Sequence, residues 1–145
     1  MIENIKERLK DKIKEIKIHN ERRVYLTIDR KDLKDVVNII FNELGARYQI
    51  VTGIENFDKF ELLYHFSFDK QGLIISLRTF LDKENPEIES LTSIIPGISY
   101  IEREVWELLG INFIGHPNLK HFLLREDWPE NLYPLRKGVK KDGRK

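Results

Sequence analysis

Residues 60–68, FELLYHFSF, and 73–80, LIISLRTF, are two apolar stretches separated only by Asp69-Lys70-Gln71-Gly72. Short stretches rich in Phe, Tyr, Leu and Ile, bounded by polar turn residues, read as strands. So short a connection, closed by a glycine, is a hairpin loop. Two neighbouring strands of one sheet are thereby set, and the remaining elements must be arranged around them.

Upstream, Ile2, Ile5, Leu9 and Ile13 recur at helical spacing among lysines and glutamates. This predicts an amphipathic helix of about three turns. Ile16 and Ile18 then alternate with charges, and Val24, Leu26 and Ile28 alternate with Tyr25 and Thr27, which predicts two strands joined across 19–22. Asp29, followed by Asp32, is placed to cap a helix whose apolar face is Leu33, Val36, Val37, Ile40 and Leu44. Gly45 supplies its left-handed stop, and 47–54 reads as another strand. The class is α+β: a mixed or antiparallel sheet of about five strands with helices on one face. Downstream, Asn85-Pro86-Glu87 has the chemistry of a helix start, and Pro96-Gly97 would end that helix. Ser99-x-x-Glu102 is a capping box opening a helix over 100–109, with Gly110 as its stop.

The chain has 145 residues, the size of one domain, and 41% of them are hydrophobic, a globular proportion. No apolar run approaches the roughly 20 residues that a membrane-spanning helix needs. The first residues, MIENIKERLK, lack the apolar stretch of a signal peptide. A soluble, cytoplasmic chain is expected. There are no cysteines, so disulfides, thiolate ligation of iron–sulfur clusters and thiol catalysis within this chain are excluded. The net charge of +1, from 25 basic and 24 acidic residues, argues against a nucleic-acid binder. Abundant Lys and Glu with one Met and two Gln is the profile of a thermophile protein.

Beyond Gly115 the pattern changes. Residues 116–145 contain Pro117, Pro129 and Pro134 among Leu119, Phe122, Leu123, Leu124, Trp128, Leu132, Tyr133 and Leu135. Such a segment has little regular structure yet is too apolar to lie in water. It either folds back on its own sheet or wraps a partner, and an apolar stretch of this length favours a partner. Its last nine residues, KGVKKDGRK, carry five positive charges and one negative and are expected to be disordered. The expected division is an α+β core over 1–115 and an extended, partner-wrapping tail over 116–145.

The chemistry-bearing residues gather around the 100–109 helix. Ile101, Val105, Leu108 and Leu109 form its apolar stripe, and Glu102, Arg103, Glu104 and Glu107 cover the rest. Read plainly, those charges are a solvated face with an Arg103–Glu107 pair. Glu104, Glu107, His116 and His121 do not have metal-binding spacing, because the histidines lie five apart with a proline between them. Gly115-His116-Pro117 reads as a turn in which the imidazole caps a neighbouring carbonyl. A catalytic His116 has no triad partner at recognisable spacing. Neither a G-x-G-x-x-G nor a P-loop is present.

Glu102-Arg103-Glu104, Glu107, Leu108-Leu109, His116 and Lys120, with the turn Gly115-His116-Pro117-Asn118, form a long ordered pattern. Arg125-Glu126-Asp127-Trp128-Pro129 and Tyr133-Pro134-Leu135-Arg136-Lys137 follow it. The pattern resembles the 30-kilodalton-type subunit of respiratory complex I and its relatives in membrane-bound group 4 nickel–iron hydrogenases. Phe122 stands where that family usually has an aliphatic residue, and the wording of the tail is closer to the hydrogenase-type relatives. The resemblance implies a non-catalytic subunit on the cytoplasmic face of a membrane-anchored redox complex, packed against the large 49-kilodalton-type or nickel–iron subunit and other peripheral-arm subunits. It implies no cofactor in this chain, with iron–sulfur clusters and any nickel–iron centre in partners. The partner-facing residues it implies are Glu102, Arg103, Glu104, Glu107, Gly115, His116, Pro117, Lys120, Arg125, Asp127, Trp128, Pro134, Leu135 and Arg136. The alternatives from other classes are a stand-alone enzyme using His116 with Glu104 or Glu107, and a homo-oligomeric interaction module.

Overall fold

The structure is a computed structural model and describes residues 1–120, 123–125 and 127–137. The expected disorder of the basic end, and the readings placed on His121, Phe122 and Glu126, fall almost wholly or wholly outside the described residues. The elements in chain order are α1 (Ile2–Leu9), β1 (Ile13–Asn20), β2 (Arg23–Ile28), α2 (Leu33–Val37), β3 (Arg47–Glu55), β4 (Lys59–Phe68), β5 (Leu73–Asp82), β6 (Glu87–Glu89), α3 (Ser99–Leu109) and β7 (Asn112–Ile114). Five strands form one sheet in the order β1-β2-β5-β4-β3, and β6 and β7 form a second, two-stranded one. β1 runs antiparallel to β2, whereas β2 runs parallel to β5, with Leu26 opposite Leu77. The large sheet is therefore mixed, and the fold is α+β as the sequence predicts.

Two compact units are distinguishable. The first comprises Met1–Thr52 and Glu61–Phe80; the second comprises Gly53–Phe60 and Leu81–Lys145. The core of the first is built from alternate residues of its strands: Val24, Leu26 and Ile28 of β2, Leu62, Tyr64 and Phe66 of β4, and Ile75 and Leu77 of β5. Ile5 and Leu9 of α1 and Leu33, Val36 and Val37 of α2 complete it. The intervening residues of the strands carry a polar network. His65 bonds Ser76 Oγ at 2.7 Å and Thr52 Oγ1 at 3.2 Å. Arg78 pairs with Glu61 at 2.6 Å and lies over the Tyr25 ring at 5.2 Å. Burial and the nearby Arg23 charge hold the His65 imidazole below its ordinary range, because both disfavour a cation there. The second unit buries Phe60, Leu81, Ile88, Leu91, Ile98, Val105, Leu109, Ile111 and Phe113.

Several local expectations are met. Asp29 accepts the Lys31 N–H at 3.1 Å, and that bond holds its carboxyl below the usual range. Gly45 and Gly110 follow their helices with φ of 75° and 78°. Four others need correction. α1 ends after two turns, at Leu9, and Ile13 instead opens β1 opposite Ile28. α2 widens into a π-helical stretch, Asn38–Glu43, where the Leu44 N–H reaches back to the Ile39 carbonyl. No helix begins at Asn85. Residues Glu87–Glu89 pair parallel with β7, and Ile88 is buried opposite Phe113. The capping box does not form either. Ser99 is already helical, Ile98 is the N-cap, and Glu102 turns inward.

Candidate functional site

α3 and the segment after it account for most of the residues singled out by the sequence. The helix has an apolar stripe, but its two most buried side chains are acids: Glu102 is 0% and Glu107 1% exposed. A buried carboxylate is tolerated only where donors satisfy it, and each of these is supplied from a different direction. Glu102 accepts the Ser90 hydroxyl at 2.6 Å and the Leu91 N–H at 2.9 Å. Glu107 accepts the N–H groups of Leu123 and Leu124, both at 2.8 Å. The first acid ties α3 to the turn after β6; the second fastens the chain beyond Lys120 onto the helix.

Around these acids the other motif residues form a strap that is held against α3. Arg103 Nε donates to the Lys120 carbonyl at 3.3 Å. His116 accepts the Asn118 N–H on Nδ1 at 3.0 Å, which leaves Nε2 to donate to the Ser99 carbonyl, also at 3.0 Å. The imidazole thus closes the Gly115-His116-Pro117 turn and caps a carbonyl at the start of the helix. Gly115 permits the turn with φ of 83°. Trp128 donates its indole N–H to the Leu132 carbonyl at 2.6 Å, and the Leu135 N–H reaches the Leu108 carbonyl at 2.9 Å. Arg136 donates to the Leu109 carbonyl at 2.6 Å, and its guanidinium stacks over Phe60 and Tyr133 with 5.1 and 4.7 Å to the ring centroids. A cation bonded to the last carbonyls of a helix is favoured by the helix dipole as well as by the hydrogen bonds. Arg125 and Asp127 form an exposed pair at 3.1 Å, and Glu104 is half-buried on the helix. Pro134 lies between the stacked Tyr133 and the bonded Leu135.

The described residues of 116–137 therefore fold back on their own α3, one of the two courses open to so apolar a segment. His116 bonds Ser99 and the Asn118 N–H, whereas Glu107 accepts the Leu123 and Leu124 N–H groups. Sequence reasoning missed the partners of these residues: Ser90, Leu91 and Phe60 carry no motif of their own, and Tyr133 was read within a motif but not as the ring under Arg136. It also missed Glu55, which accepts the Lys137 N–H at 2.6 Å and pairs with Lys83 at 3.0 Å. Burial alone would push the Glu55 carboxyl up, but these two lysines hold it below its usual range.

Among exposed polar residues such as Lys120, Arg125 and Asp127, the strap leaves two large apolar side chains outward, and two more flank it. Tyr100 is 61%, Leu123 58% and Leu135 60% exposed, and Ile114, next to the Gly115 turn in sequence, is exposed as well. An open groove of about 400 Å³ has a mixed lining, apolar at Trp106, Leu119, Pro129, Leu132 and Tyr133 and polar at Glu107, Lys120, Glu130 and Asn131. Among the described residues no group of His, Asp and Glu has a metal-binding arrangement, and no helix is long and apolar enough to cross a membrane.

A family described as the respiratory-chain NADH dehydrogenase, 30 Kd subunit, matches residues 26–145. The C-type subunit of the NADH-quinone oxidoreductase of Roseiflexus sp. (strain RS-1) is 34% identical over 122 residues, covering 80% of this chain and 68% of that one. The membrane-bound hydrogenase subunit beta of Pyrococcus furiosus is 32% identical over 125 residues, covering 81% and 72%. A NADH-quinone oxidoreductase chain from Phocaeicola vulgatus whose name joins the C and D types is 43% identical over 68 residues, covering 47% of this chain and 12% of its own length. Among solved structures, a chain of the membrane-bound sulfane sulfur reductase, an archaeal respiratory membrane complex, superposes with a TM-score of 0.77 at 21% identity, covering 92% of this chain and 79% of that one. That likeness is one of fold.

Proposed function

Because the chain belongs to the 30-kilodalton subunit family of the respiratory-chain NADH dehydrogenase, we propose that it is a structural subunit of a membrane-associated oxidoreductase complex, docked against that complex's large subunit. The observation that carries this reading is the α3 strap. Its backbone is pinned by buried Glu107 and by Arg136, while Leu123 and Leu135 are left exposed. A surface whose apolar side chains are held in place before binding loses little conformational freedom when a partner covers them. Tyr100, Leu123 and Leu135 are the side chains whose burial would drive docking, with Glu104, Arg125 and Asp127 at a polar rim. Glu102, Glu107, His116 and Arg136 serve docking indirectly, by shaping the strap.

The Phocaeicola vulgatus chain, named for the C and D types together, supports a large D-type partner, since two parts carried on one chain are held at high effective concentration. Redox cofactors would then sit in partner subunits, and the chain would be peripheral on the inner face of the membrane through the complex. The relatives leave both a quinone-reducing and a hydrogenase-type complex as settings.

The test is affinity capture of the tagged chain from its native membranes, beside Leu123→Asp and Leu135→Asp variants. Both sites are exposed, so both variants should fold and melt like the parent. The parent should bring down a large subunit of the 49-kilodalton or nickel–iron type, and the variants should lose it at least tenfold. Equal recovery by parent and variants would overturn the strap as the docking surface. Recovery of the parent chain alone would overturn the subunit reading itself.

A further inference from the structure

We infer that Glu102, Ser90 and Thr92 form a reversible hydrogen-bonded relay, through which a carboxyl buried beneath α3 binds and releases a proton without the fold opening. The relay is a chain of three side-chain oxygens. Glu102 Oε1 lies 2.6 Å from Ser90 Oγ, and Ser90 Oγ lies 2.9 Å from Thr92 Oγ1. Exposure rises along it: Glu102 and Ser90 are buried, Thr92 is half-buried, and Ser93 beyond it is exposed.

The chain can be satisfied in either polarity. With Glu102 ionised, Ser90 donates to the carboxylate and accepts both the Thr92 hydroxyl and the Thr92 N–H, the latter at 3.2 Å. With Glu102 protonated, the carboxyl donates to Ser90, which still accepts the Thr92 N–H and now donates to Thr92 Oγ1. A hydroxyl has one donor and two acceptor lone pairs, so Ser90 is fully used in both states. The second carboxyl oxygen keeps the Leu91 N–H throughout, at 2.9 Å. The two states differ by one proton on the Glu102 carboxyl and by the direction in which the Ser90 and Thr92 hydroxyls donate. A buried carboxyl without such a reversible partner strands a donor or an acceptor when it gains or loses its proton, at a cost that opens the structure.

The surroundings do not dictate one charge state. β7 and the turn Pro96–Ile98, which pack on α3, carry no titratable group. β6 carries Glu87 and Glu89, and Glu89, next to Ser90, is exposed. On α3 itself Arg103 is directed to the Lys120 carbonyl and Glu107 to the strap. No ion pair reaches Glu102 among the described residues. Burial pushes its carboxyl up to about 7 against the opposing bonds from Ser90 and Leu91, so both states are populated near neutrality.

The full-length chain, labelled with ¹³C-carboxyl glutamate, is titrated by NMR from pH 4.5 to 9, with Glu102→Gln identifying the resonance. The expected midpoint lies near 7, as one averaged line, with the Leu91 amide shift following the same curve. Thr92→Val removes the outlet hydroxyl at a half-exposed position. Its midpoint should move by less than about half a unit, while the line broadens or splits as proton exchange slows. Ser90→Ala removes a donor to the carboxylate and should raise the midpoint by about one unit. A midpoint in the ordinary carboxylate range overturns the inference. So does a Thr92→Val chain that titrates with the same sharp averaged line, and that comparison stands even if Ser90→Ala fails to fold.

Discussion

Gly110 does two separable things. Its φ of 78° lies where only glycine is unstrained, and a Cβ there would stand 2.5 Å from Tyr133 Cε2 and 2.6 Å from Arg136 Nη2. Gly45 has the same backbone conformation, with open space where its Cβ would be. Gly45→Ala should therefore cost only the backbone strain, about 1–2 kcal/mol. Gly110→Ala should cost about 2 kcal/mol more, because it also displaces the Arg136 stack. Urea unfolding of the two variants measures the difference, and equal losses would mean that the Tyr133–Arg136 clamp is soft. At this scale the sequence was legible where chemistry is local: the glycine stops, the Asp29 cap and the His116 turn all depend on neighbours a few positions away. Glu102 was misread because Ser99-x-x-Glu102 satisfies the spacing of a capping box. Its real partner, Ser90, is fixed by a turn whose position no spacing rule gives.

β4 and β5 were readable at the element scale because their apolar content is high and the loop between them is short. β6 was not. Asn85-Pro86-Glu87 has the chemistry of a helix start, and the information that makes 87–89 a strand lies some way downstream, in β7. Three-residue strands have too short a period for alternation to show. The large sheet holds a defect that sequence does not show at all. Thr79 of β5 is 1% exposed, and its hydroxyl has no hydrogen-bond partner among the described residues. Replacing an unsatisfied buried hydroxyl by a methyl of the same shape removes a desolvation cost. Thr79→Val should stabilise the chain by about 1 kcal/mol, a rise of a few degrees in the melting midpoint. A fall instead would reveal a partner to that oxygen.

The molecule's 25 basic and 24 acidic residues nearly cancel, so its stability should depend on pH through a few perturbed groups rather than through net charge. Asp29 and Asp69 have lowered carboxyl pKa values, each held down first by its hydrogen bonds, and they add stability that is lost as pH falls through those values. Glu102 works in the opposite sense. Its folded pKa of about 7 exceeds the ordinary 4.5, so its contribution is complete below 4.5 and is lost as pH rises through 7. Urea midpoints of the parent relative to Glu102→Gln should therefore decline steadily from pH 5 to 8. A flat difference would place the Glu102 carboxyl in the usual range. The family was legible because its pattern is long and ordered. Spacing alone does not tell a charge aimed outward from one that holds the chain's own backbone, as Glu107 and Arg136 do.

The Glu107 carboxylate also bears on synthesis. Two of its donors come from residues 16 and 17 positions further along the chain, so a nascent chain that has made α3 but not yet the strap lacks both of those bonds to the acid. The apolar surface proposed to receive the large subunit comes into being only as the ribosome releases that later stretch. A prematurely terminated chain would thus lack both those bonds and the surface a partner recognises, so complex assembly itself would sort finished chains from unfinished ones.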